Sequence, residues 1–176
     1  MKKMLGENRR NELLNLLRKA NGPLKGTELA KHTNVSRQVI VNDMNLLKAR
    51  NEPILATSQG YIYIQQDDSI QTFERKIVCL HTPQQAEDEM ITLVDCGVTL
   101  KNVIVEHPVY GEITASIMVS NRFDVANFIE HIKETNASLL SDLTDGTHLH
   151  VISATSIEQL DHAEQMLREK GYLIEG

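Results

Sequence analysis

The stretch DGTHLHVIS, residues 145–153, alternates from Thr147 to Ile152 like a β-strand, in which successive side chains point to opposite faces. Leu149 and Val151 then share one face, and His148 and His150 share the other. A helix-covered sheet buries its apolar face, so Leu149 and Val151 are expected to meet the helices, with both imidazoles on the opposite side. Working outward, RKIVCLH (75–81) reads as a strand and TPQQAEDEMITLVDCG (82–97) as a helix capped by Thr82 with Pro83 at its first position. KNVIVEHPVYGEITASIMVS (101–120) gives two strands joined by a turn at Pro108 to Gly111, and NRFDVANFIEHIKET (121–135) a helix. SLLSDLTDGTHLHVISA (138–154) supplies one or two strands, and Ser156 opens a closing helix. The order β-α-β-β-α-β-α implies an α+β sandwich of two layers, helices over a mostly antiparallel sheet.

The front of the chain has a different pattern. Leu13, Leu14, Leu16 and Leu17 recur at helical spacing before Asn21, Gly22 and Pro23 end that helix. A short second helix is expected over roughly Thr27 to His32, with Leu29 and Ala30 inward and Val35 packing after the turn. Ser36 is placed to cap a third helix that runs to about Ala49. On it Ile40, Met44 and Leu47 face the core, which leaves Arg37, Gln38, Val41, Asn42, Asn45 and Lys48 outside. Two short apolar runs around Thr57 to Gly60 then make a β-hairpin. Three helices and a hairpin resemble the winged helix-turn-helix of bacterial regulators, whose third helix enters the major groove. Ser36, Arg37, Gln38, Val41, Asn42, Asn45 and Lys48 are the expected contacts: Arg suits guanine, Asn and Gln suit adenine, and Val41 suits a thymine methyl.

Charge divides the same way. Residues 1–65 hold 11 Lys and Arg against 5 Asp and Glu, whereas residues 66–176 hold 7 against 19. A basic front can approach a polyanion, with lysines and arginines near the N-terminus and on helix three neutralising phosphates; the acidic remainder needs another task. The expected domains are 1–66, a DNA-binding winged helix, and 73–176, a second domain with a separate task, with QQDDSIQT (65–72) between them as linker. No run of 18 apolar residues occurs and MKKMLGENRRNELL lacks a secretory pattern, so a cytoplasmic protein without membrane contact is expected. Cys79 and Cys96 suit a reducing compartment.

Alternation groups Ile77, Cys79 and His81 apart from Val78 and Leu80. On the following helix Ala86, Met90, Leu93 and Val94 form the apolar stripe, flanked by Glu87 and Glu89, with Asp88 pointing away. His148, His150, His81 and a neighbouring carboxylate are a ligand set for a divalent transition metal, Cys79 being a further soft donor that otherwise packs. His131 and His162 lie on polar helix faces, while His107, before a proline at a turn, is a candidate pocket wall.

HTPQQAEDE (81–89), VIVEHPVYGEITASIMVSNR (103–122) and TNASLLSDLTDGTHLHVI (135–152) closely resemble the 3H domain. Behind a winged helix, it resembles the nicotinate-responsive repressors of niacin uptake and NAD biosynthesis genes. That resemblance implies a homodimer, an HPr-like topology in the back half and a zinc or nickel site made by His81, Glu89, His148 and His150, which favours Glu89 over Glu87. It also implies nicotinic acid as co-repressor on operator DNA. His107 as donor and Arg122 as carboxylate partner are the expected ligand-binding residues. Two other functions fit a metal with an open position: a nickel- or zinc-responsive regulator, and a nicotinamide amidohydrolase, for which no general base with its orienting partner is evident.

Overall fold

The computed structural model describes residues 5–64 and 71–175, so most of the expected linker lies outside the described residues. The chain forms two compact units, Met1–Asp67 and Asp68–Gly176.

In the first unit, α1 (Gly6–Lys19), α2 (Gly26–Thr33) and α3 (Arg37–Ala49) precede a hairpin of β1 (Ile54–Thr57) and β2 (Gly60–Tyr63). Ser36 caps α3, its hydroxyl accepting from the Val39 amide at 3.4 Å. Asn34 takes the left-handed conformation that ends α2 and turns the chain into α3. Leu13, Leu17, Leu29, Ile40, Met44 and Leu47 close the core, as their periodicity requires. Leu24 adds a third edge to the hairpin, exchanging backbone hydrogen bonds with Tyr61 at 2.9 and 3.0 Å. The chain at Leu24 passes so close that a Cβ on Gly60 would lie 2.4 Å from the Leu24 carbonyl oxygen.

The second unit is a four-stranded antiparallel sheet of β3 (Phe73–Leu80), β4 (Thr99–His107), β5 (Gly111–Val119) and β6 (Thr147–Ala154), in the order β3-β6-β4-β5. Helices α4 (Ala86–Asp95), α5 (Arg122–Thr135) and α6 (Ile157–Glu169) pack on one face. A single 3-10 turn, Pro83–Gln85, precedes α4, and Ser156 caps α6 by accepting from Gln159. Of the segment 138–154 only β6 is a strand, since Leu140–Thr144 forms a 3-10 helix. Register shifts between Leu100 and Asn102 mark a β-bulge in β4, with Met118 of β5 in the left-handed region at φ 56°. After α6 the chain runs beside the free edge of β3, Leu80 N–H donating to Tyr172 and Ile174 N–H to Val78.

One expectation is inverted. The helix-covered face of β6 carries His148, His150, Ile152 and Ala154, all buried, while Leu149 and Val151 are half-buried on the other face. Alternation holds, but Ile152 and Ala154 fix which side is the core, and they share parity with the histidines. Ile77 and Cys79 of β3 face the same way.

Candidate functional site

The pairing Cys79↔His148 and Ile77↔His150 sets His81, just past β3, at the end of the row that carries both β6 histidines. Across from them is Glu89 in the first turn of α4, a helix whose approach is fixed by Thr82, whose amide donates to Gln85 Oε1 at 2.9 Å. Glu89 Oε2 lies 2.7 Å from His81 Nε2, 3.3 Å from His150 Nε2 and 3.5 Å from His148 Nε2. The Nε2 atoms of His148 and His150 are 3.0 Å apart. His81 is 7% exposed, Glu89 2%, His148 2% and His150 3%.

Each imidazole turns its other nitrogen to a main-chain carbonyl: Nδ1 of His81 to Thr82 at 2.9 Å, of His148 to Gly146 at 2.8 Å, and of His150 to Asn102 at 2.7 Å. A carbonyl only accepts, so each Nδ1 is the proton donor and, in the neutral ring, each Nε2 presents a lone pair. Three lone pairs and a carboxylate oxygen therefore converge with no proton of their own to share. Such a cluster holds together by taking up protons or a cation. Glu89 Oε1 is buried and has no hydrogen-bond partner among the described residues. Three imidazoles oriented from behind, one carboxylate and an unsatisfied oxygen fit a divalent transition metal.

The electrostatics report the same demand for positive charge. Burial opposes protonation of His81, yet the Glu89 carboxylate and the Thr82 carbonyl hold its pKa above the ordinary histidine value. Burial also opposes ionisation of Glu89, but the surrounding imidazoles of His150, His148 and His81 bring its carboxyl well below the usual range. Cys79 is wholly buried, its thiol pushed up by burial and by the Glu89 charge. Its sulfur, a Glu89 oxygen and a His148 nitrogen lie within 4.8 Å of one another.

The structure brings together His81, Glu89, His148 and His150, and leaves Glu87 exposed. Asp88 accepts from Lys170 Nζ and from Tyr172 OH, tying α4 to the C-terminal segment, and the Tyr172 ring packs edge-on against His81. Val103 pairs with His150, so alternation carries Val105 and His107 along the same face toward the His148 end. His107 Nδ1 accepts from the Val109 and Tyr110 amides, which organises the β4–β5 turn. Arg122 is taken by a two-pronged pair with Asp95, 2.7 and 2.5 Å, rather than being an unengaged cation. His131 and His162 are exposed, as expected. Sequence reasoning missed Asn102, Gly146 and Tyr172, whose placement depends on strand pairing and on the tail.

On the outer side of α3, Ser36, Arg37, Gln38, Asn42 and Asn45 are exposed, and Val41 and Lys48 half-buried. Gln38 Nε2 donates to Asn42 Oδ1 at 3.3 Å, aligning two amides on one face. The arginines near the N-terminus are not spare cations for phosphate. Arg9 Nε donates to Asp43 Oδ2 at 2.5 Å from within the core, Arg10 pairs with both Asp43 and Glu7, and Arg50 also pairs with Glu7.

A helix-turn-helix domain family matches residues 9–62 and the 3H domain family matches residues 74–176; the chain thus belongs to the 3H-domain proteins that carry an N-terminal helix-turn-helix. Two relatives span nearly all of it. The transcription repressor NadR of Bacillus subtilis (strain 168) is 53% identical over 173 residues, 98% of this chain and 96% of its own. The probable transcription repressor NiaR of Thermotoga maritima is 34% identical over 173 residues, 98% of this chain and 97% of its own. No helix among the described residues is long and apolar enough to cross a membrane.

Proposed function

We propose that the chain is a transcription repressor of niacin uptake and NAD biosynthesis genes, a homodimer whose residues 1–66 bind operator DNA and whose residues 73–176 sense nicotinic acid. The helix-turn-helix and the names of its relatives make it a DNA-binding regulator rather than an enzyme. Arg37, Gln38, Val41, Asn42, Asn45 and Lys48 would read base edges and phosphates, with Ser36 setting the start of the helix. His81, Glu89, His148 and His150 would hold zinc or nickel. The observation that carries the sensing half is the convergence of three Nε2 lone pairs on Glu89 beside an unsatisfied buried oxygen.

A metal in this place supplies a Lewis-acid position suited to the ring nitrogen of a pyridine carboxylate. The chain's part is to orient the imidazoles through Thr82, Gly146 and Asn102 and to exclude water by burial. His107, at the end of the same face, would meet the ligand, whereas Arg122 reaches a carboxylate only by leaving Asp95. Occupancy changes DNA affinity only through a difference in ligand affinity between two arrangements of the protein. The commitment of Arg122 to Asp95 favours, as a second reading, a regulator in which the metal itself is the signal.

Calorimetric titration of nicotinate and nicotinamide into zinc-loaded and chelated protein, with gel shifts under the same conditions, separates the two. Nicotinate binding that is lost on chelation, and that tightens operator binding, is the expected result. Switching by metal alone would establish the metal sensor, and turnover of nicotinamide would overturn both.

A further inference from the structure

The bulge in β4 has a chemical use at the site. In a regular antiparallel ladder the carbonyl of each inward-bonding residue accepts from an amide of the neighbouring strand. Asn102 departs from this. Its backbone oxygen accepts from His150 Nδ1 at 2.7 Å, and its side-chain Oδ1 accepts from the Val151 amide at 3.0 Å. The side chain stands in the ladder where a main-chain carbonyl belongs, and the main-chain carbonyl is released to the imidazole. Two features make this possible. Register slips between Leu100 and Asn102 against both neighbouring strands, and Met118, opposite the slip, accepts a left-handed backbone. Unlike Thr82 and Gly146, which orient their histidines from beyond the ends of the sheet, Asn102 does so from inside it.

We infer that Asn102 is the positioning residue of the site: its side-chain oxygen holds the bulge open so that its own carbonyl fixes His150 as the Nδ1–H tautomer, with Nε2 aimed at Glu89. This rests on the reading of the four residues as metal ligands, although the tautomer is a property of the metal-free protein. A residue lacking the δ oxygen leaves the Val151 amide without its acceptor, and the carbonyl of position 102 is drawn back to the ladder. His150 is then free to carry its proton on Nε2, where Glu89 Oε2 at 3.3 Å and His148 Nε2 at 3.0 Å accept it, and that proton occupies the lone pair a metal needs. Aspartate keeps the acceptor, so it keeps the arrangement.

The test compares the wild type with Asn102→Ala and Asn102→Asp in full-length protein, reading the His150 tautomer by long-range ¹H–¹⁵N correlation without metal and zinc affinity by competition with a chelating dye. Asn102→Ala is expected to populate the Nε2–H form and to lose about 10–100-fold in zinc affinity, the usual effect of removing an outer partner of a metal-bound histidine. Asn102→Asp is expected to restore both. Wild-type tautomer and affinity in the alanine variant, or failure of aspartate to restore them, overturns the assignment. Should the alanine variant not fold, the zinc-loaded wild type decides: a scalar coupling across the hydrogen bond from Val151 ¹⁵N to the Asn102 side-chain carbonyl carbon supports it, and a coupling to a backbone carbonyl defeats it. If the wild type binds no zinc, the metal proposal falls while the tautomer result still decides the role of Asn102.

Discussion

Asp43→Ala should unlatch α3 from the rest of its unit. Asp43 sits on the inner side of α3 with 2% of its surface exposed, held by Arg9 at 2.5 Å and Arg10 at 3.3 Å; Arg9 is itself only 7% exposed. Arg10 keeps Glu7 as an exposed partner, while Arg9 loses its buried ion pair with Asp43. Removing one member of a buried ion pair costs about 3–5 kcal/mol. A unit of 67 residues has on the order of 3–10 kcal/mol in all, so the loss takes a third or more of it. Peptide-level hydrogen exchange reads this directly. Amides of α1 and α3 should exchange about two to four orders of magnitude faster, while those of β3 and β6 in the other unit serve as an unchanged internal control. Replacing both partners, Arg9→Met with Asp43→Leu, should recover most of the protection. An α3 that exchanges less than about tenfold faster in Asp43→Ala would show that the pair is not what seats the helix.

Three further outcomes are expected. His148→Ala should purify with its metal content reduced to background by elemental analysis and should no longer respond to chelation; retention of a full equivalent would remove the proposed ligand set. Gly146→Ala should lower the melting temperature and weaken zinc binding together, because a Cβ there lies 2.4 Å from the His81 carbonyl oxygen on a backbone with φ of 91°. Unchanged melting would mean that the loop relaxes at no cost. Glu7, between Arg10 and Arg50, should titrate near pH 2 by carboxyl ¹³C shifts, since their hydrogen bonds lower its pKa from 4.5 to about 2. Its folded pKa is depressed, so its contribution is present above pH 4.5 and is lost as pH falls through about 2; a midpoint near 4.5 would mean that the pairs do not persist in solution.

The winged helix was legible because each signal in it is local. Ser36 caps, Ile40, Met44 and Leu47 repeat at helical spacing, and Thr57 to Gly60 turns the hairpin. Strand alternation around the histidines was legible too, but the face was misassigned. Hydrophobicity places Leu149 and Val151 in the core and imidazoles in water, and a built site reverses that order by burying polar groups that orient one another. Glu89 could not be chosen over Glu87 from periodicity; the resemblance favoured it, and the fold sets it beside the three histidines. The Arg9–Asp43 pair joins residues 34 apart, and nothing in either neighbourhood marks them as partners. The bulge at Asn102 is a property of three paired strands, so it has no signature in any one of them.

The C-terminal segment has a kinetic consequence. The four clustered residues are at most 7% exposed, so they meet little solvent directly. One wall is the strip after α6, which lies along β3 through two backbone hydrogen bonds, packs Tyr172 against His81 and is pinned by Lys170 and Tyr172 to Asp88. A short strip at a sheet edge detaches at far lower free energy than the core unfolds. Variants that weaken the contacts near residue 172 are therefore expected to speed the exchange of any ion bound by the four residues, as read by the rate of its removal by a chelator.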